Sequence, residues 1–130
     1  MDSGCFGYKY ASETGLSGRV VGINEEELKT PGCISRHLKN SELPLYISLD
    51  KDILTRSCAI TNWDQGEAQL EDVLACIKEA ASCRSIIGVD VCGENPDDQE
   101  QEGNRASQTN QNTNRKIICK LLEICDVLCP

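Results

Sequence analysis

A chain of 130 residues, 39% of them hydrophobic, has material for one domain with a modest core. Its formal net charge is -8 and only 4% of its residues are aromatic, which argues against the basic stripe of a nucleic-acid binder and the stacking platform of a single-strand binder. No run of about eighteen consecutive apolar residues exists, so no membrane span is expected.

The opening stretch MDSGCFGYKY lacks the basic and apolar regions of a signal peptide. The nine cysteines are odd in number, irregularly spaced and without a C-x-x-C pair. That pattern favours reduced, buried thiols over a disulfide framework or a zinc site, and the expectation is a cytoplasmic protein.

In chain order, residues 1–18 are rich in Gly and Ser and show no period, so an irregular N-terminal segment is expected there. GRVVGI (18–23) reads as a short strand. In NEEELKTPG, Asn24 is a candidate N-cap, the acidic residues suit a first helical turn, and Pro31-Gly32 ends it. ISRHLKN is a short helical or irregular piece, and LYISL (45–49) a strand. TNWDQG is a polar loop, with Trp63 expected to plug the loop against the next helix and Asp64 and Glu67 to cap that helix near Glu67.

Leu70, Val73, Leu74, Ile77 and Ala81 then fall on one face of an amphipathic helix. SIIGVDV (85–91) is almost unbroken in its apolar character and suits a parallel strand buried on both faces. From about 95 to 114 the chain is almost wholly polar, which predicts a flexible loop. A last helix is expected over 115–128, with Ile117, Ile118, Leu121, Leu122, Ile124, Cys125 and Leu128 on its buried side. Strands alternating with helices imply βαβ units, a parallel sheet and one α/β domain over 19–130.

The informative stretch is LYISLDKDIL, where an apolar strand runs into Asp50 and Asp52. In open α/β sheets ligands gather beyond the carboxyl ends of the strands. Two convergent carboxylates there make an oxygen-rich corner suited to Mg²⁺ or Mn²⁺. The competing reading is a solvated turn, since Asp is common in loops.

Four stretches in order, LYISLDKDIL, TNWDQGEAQLEDVLACIKEAA, SIIGVDVCGENP and NRKIICKLLEICDVL, resemble the C-terminal part of the ureohydrolase family, the arginases and agmatinases. The resemblance covers about residues 40–128. It implies a three-layer α/β fold with a mainly parallel sheet, a partial arginase-like domain. It also implies Asp50 and Asp52 as metal ligands, Glu94 as a substrate-binding residue, and hydrolysis of C–N bonds in guanidino or amidine compounds by a pair of Mn²⁺ ions.

The chain departs from the family pattern at Lys51, normally apolar, and at Thr55 and Arg56, where the family has Asp-Pro. Gly93 aligns with the substrate-recognising Glu, so Glu94 comes one residue late. The family's remaining ligands lie in an upstream D-A-H-x-D-like segment and an upstream His. The single histidine here, His37, does not match and reads as a surface residue.

The expectation is therefore a truncated or fragmentary relative, binding metal weakly at most and inactive as an isolated chain. No catalytic residue is assigned. Its partners would be a small guanidino or amide substrate if active, a second copy, or a missing N-terminal half; no nucleic acid and no membrane. Two alternatives stand beside it. One is a haloacid-dehalogenase-like phosphatase with Asp50 as nucleophile and Asp52 as proton shuttle. The other is a non-catalytic α/β binding module.

Overall fold

The computed structural model describes residues 21–93 and 101–128, with the side chains of the last helix described over 105–124. The first helix, α1 (Glu25–Leu28), starts at Asn24 as the sequence predicts, and a capping box closes it. Asn24 Oδ1 accepts the Glu27 N–H at 2.9 Å, and Glu27 Oε2 accepts the Asn24 N–H at 3.0 Å. After the Pro31-Gly32 turn comes α2 (Ser35–Leu38).

Strand β1 (Leu45–Asp50) runs into a 3-10 turn (Lys51–Ile53). Helix α3 (Leu70–Cys83) crosses over to β2 (Ile86–Cys92). The long helix α4 (Gln101–Leu128) follows. The two strands pair in parallel, with Ile47 opposite Val89, Leu49 opposite Val91 and Asp50 opposite Cys92. This is a small α/β fold built on one βαβ unit.

Leu49, Leu54 and the α3 face Leu70, Val73, Leu74, Ile77 and Ala81 form the core with Ile117 and Ile124 of α4. The helical spacing read from the sequence thus marks the buried side of α3, whose removal from water supplies the main drive for docking it on the sheet.

The loop after the 3-10 turn is stitched by backbone hydrogen bonds. Thr55 N donates to Ala68 O at 2.9 Å, Ala68 N to Ile53 O at 3.0 Å and Gly66 N to Asp52 O at 2.7 Å. Gly66 is required here, because a Cβ on it would lie 2.2 Å from the Ile53 carbonyl oxygen.

Four expectations need correction. Residues 21–23 are irregular rather than strand, the rest of GRVVGI and the N-terminal segment 1–18 lying outside the described residues. β2 is not buried on both faces: Ile87 is 68% exposed, and Asp90 and Cys92 are also open. Among the described residues the helices cover the sheet face carrying Ile47 and Leu49 and leave the other open, so an apolar run here marks a half-covered strand.

The polar stretch expected as a loop through 114 is helical from Gln101 onward. Its inward positions are Ala106, Asn110, Thr113 and Ile117, and the two polar ones are buried because they bond the loop beneath them. Asn110 Oδ1 accepts the Ile60 N–H at 2.9 Å, and Thr113 Oγ1 donates to the Cys58 carbonyl. This seam turns Ile118 and Leu122, expected inside, out to solvent.

Candidate functional site

Asp50 ends β1 with its side chain exposed, and its Oδ1 accepts the backbone N–H of Asp52 at 3.0 Å. Asp52 belongs to the 3-10 turn, so strand alternation does not set its direction; the turn does. Asp52 is half-buried, and its Oδ1 is shut off from solvent without a hydrogen-bond partner among the described residues. A buried carboxylate oxygen left unsatisfied is costly, and a cation or an ordered water is the usual remedy.

Between the two aspartates, Lys51 is fully buried, and its Nζ donates to Asn114 Oδ1 of α4 at 3.0 Å. Lys51 thus ties the carboxylate corner to the long helix.

The other wall is the end of β2. Gly93 has φ +86°, and a Cβ on it would lie 2.8 Å from Asp50 Oδ1 and 3.0 Å from Lys51 N. Its backbone therefore approaches the carboxylate as closely as a glycine permits. Cys92, opposite Asp50 in register, has its thiol pushed up by desolvation and by the charges of Asp50 and Asp90.

Asp90 itself is committed elsewhere: it accepts from Tyr46 OH at 2.9 Å and from Ser48 Oγ at 2.8 Å on the open sheet face. The hydrogen bond to Asp90 and its charge push the Tyr46 phenol up. The Tyr46 ring lies over Gly88, where a Cβ would come within 2.6 Å of it.

Asp50 lies at the strand end and Asp52 in the turn that follows it, and among the described residues no group of three or more His, Cys, Asp or Glu converges to hold a metal. His37 is exposed on α2, where its Nε2 accepts from Arg36 Nε at 3.1 Å. Glu94 lies outside the described residues.

Trp63 is 75% exposed rather than plugged against the next helix. Asp64 and Glu67 do not cap α3, whose N-cap is Gln69 without a side-chain bond; the Glu67 N–H instead reaches Glu25 Oε1 at 3.2 Å. The stitched backbone of this loop delays the helix by one turn. Gly93 and Asn114 shape the corner without having been picked out as doing so. Asn114 left no signal, because a half-buried polar residue in a polar run has no period to betray it.

An uncharacterized protein of Thermotoga maritima is 44% identical to this chain over 57 residues, which make up 44% of this chain and 22% of that relative. The chain thus matches less than a quarter of the relative's length. No family model and no solved structure matches the chain. Among the described residues, no helix is long and apolar enough to cross a membrane.

Proposed function

We propose that the chain corresponds to the C-terminal part of a ureohydrolase-like, three-layer α/β hydrolase, and that Asp50 and Asp52 are half of its metal centre. The observation that carries this reading is the buried, unpartnered Oδ1 of Asp52 beside Asp50 at the carboxyl end of a parallel strand. Two all-oxygen ligands fit a hard divalent ion such as Mn²⁺ better than Zn²⁺, but they are too few to hold it tightly. When bound, such an ion supplies Lewis-acid activation of water for attack on a guanidine or amidine carbon.

What this chain's own residues do is narrower. Asp50 and Asp52 provide the negative corner, Gly93 closes it from the β2 side, and Lys51 anchors it to α4. With no third convergent ligand among the described residues, the isolated chain is expected to release no urea from arginine or agmatine.

The test is a paramagnetic titration of the reduced protein with Mn²⁺. A single site is expected, with Kd on the order of 10⁻⁴–10⁻³ M, the range of weak divalent-ion sites. It should weaken at least about tenfold in Asp52→Asn, which keeps the side-chain shape and loses the charge. Binding indifferent to Asp52→Asn and Asp50→Ala would return both residues to the role of a solvated turn. Urea release by the isolated chain, abolished by Asp50→Asn, would instead show a complete centre.

A further inference from the structure

Away from the carboxylate corner, Cys33 and Cys76 meet with their sulfurs 3.5 Å apart, although 43 residues separate them in sequence. Cys33 lies in the turn between α1 and α2, and Cys76 in the middle of α3. Cys33 is 1% and Cys76 8% exposed. Both thiols reach the same carbonyl, Leu28 O, at 3.8 and 3.6 Å. Burial and the neighbouring Cys33 thiol push Cys76 up to about 12.

The two sulfurs differ in access. Cys76 lines a groove of about 410 Å³ between the α1–α2 turn and α3, together with Pro31, Gly32, Ser35 and Glu79; Cys33 lies behind it. The more exposed Cys83 lines the same groove, but an oxidant that reaches Cys76 finds a second sulfur already in contact with it.

We propose that Cys33 and Cys76 form a reversible disulfide under peroxide, fastening the α1–α2 segment to α3. Cys76 Sγ first gives up its proton, a step that its raised pKa makes slow; the peroxide oxygen then transfers to the thiolate, and the proton joins the departing hydroxide, leaving a sulfenic acid and one water. Cys33 Sγ then attacks that sulfur and displaces the hydroxyl as a second water. Two thiols lose two electrons and two protons in all, and one peroxide is reduced to two waters. The bridge closes a long loop, which restricts the unfolded chain and stabilises the fold.

The reduced 130-residue chain is treated with hydrogen peroxide, remaining thiols are alkylated in denaturant, and the digest is mapped by mass spectrometry. A linked peptide pair containing Cys33 and Cys76 is expected. The thermal midpoint should rise by roughly 5 °C or more, and a dithiol reductant should reverse both effects. In Cys33→Ala the linked pair and the rise should both vanish, and Cys76 should carry over-oxidised forms instead. If that variant does not fold, the wild-type map decides. Recovery of Cys33 and Cys76 alkylated in the wild type, while other thiols have oxidised, overturns the proposal; so does a bridge from either residue to a different cysteine.

Discussion

Asn110 of α4 closes both hydrogen bonds of the Ile60 backbone: its Oδ1 accepts the N–H at 2.9 Å, and its Nδ2 donates to the C=O at 2.8 Å. The amide side chain stands where a neighbouring strand would be, and it is 3% exposed. Asn110→Leu would strand a buried donor and acceptor together, at a cost of about 2–4 kcal/mol. Asn110→Asp keeps the acceptor, loses the donor and sets a charge against a carbonyl, so it should also destabilise. Urea denaturation of both variants checks this, and a change under about 0.5 kcal/mol for Asn110→Leu would mean that water replaces the amide.

Gly93→Ala should disturb the carboxylate corner without touching its ligands. The φ of +86° strains any residue with a Cβ, and the added carbon would lie 2.8 Å from Asp50 Oδ1. The strain costs roughly 1–2 kcal/mol. Asp50 can swing away, but only by surrendering its bond to the Asp52 N–H. The variant is therefore expected to lose both stability and Mn²⁺ affinity, read from a urea midpoint and the same metal titration. Gly93→Glu should fare no better, since the positive φ opposes any side chain there. Unchanged metal affinity in Gly93→Ala would separate Asp50 from the site.

These two residues also mark how far the sequence could be read. β1, the face of α3 and the parallel pairing with β2 were legible because apolar spacing reports burial directly, and Leu49, Leu70 and Ile77 lie in the core. Asn24 was legible as a cap because its chemistry is local. The first turns of α4 were not: Asn110 and Thr113 look like loop residues until the loop at 58–60 is folded beneath them. Trp63 misled for the opposite reason, since a large apolar side chain suggests burial but nothing in the sequence names a surface to receive it. At the site, the aspartate pair was visible in LYISLDKDIL. The burial of Lys51 between them was not, because its partner Asn114 is 63 residues away.

Glu79 of α3 accepts the Ser35 backbone N–H with Oε1 at 2.7 Å, holding the start of α2 against the longer helix. That hydrogen bond holds the Glu79 carboxyl below its ordinary value of 4.5, against a smaller opposing effect of burial. A carboxyl whose folded pKa is depressed stabilises the fold fully above its unfolded pKa, and the contribution fades as pH falls through the lower, folded value. Glu79→Gln keeps an acceptor oxygen but cannot ionise. Its thermal midpoint should therefore lie below that of the wild type at pH 6–7, and the gap should close as pH drops from about 4.5 toward 3. Thermal melts of the two proteins across that range decide the matter: a gap that stays constant with pH would mean that Glu79 acts through shape and packing, and that its charge contributes nothing to holding α2.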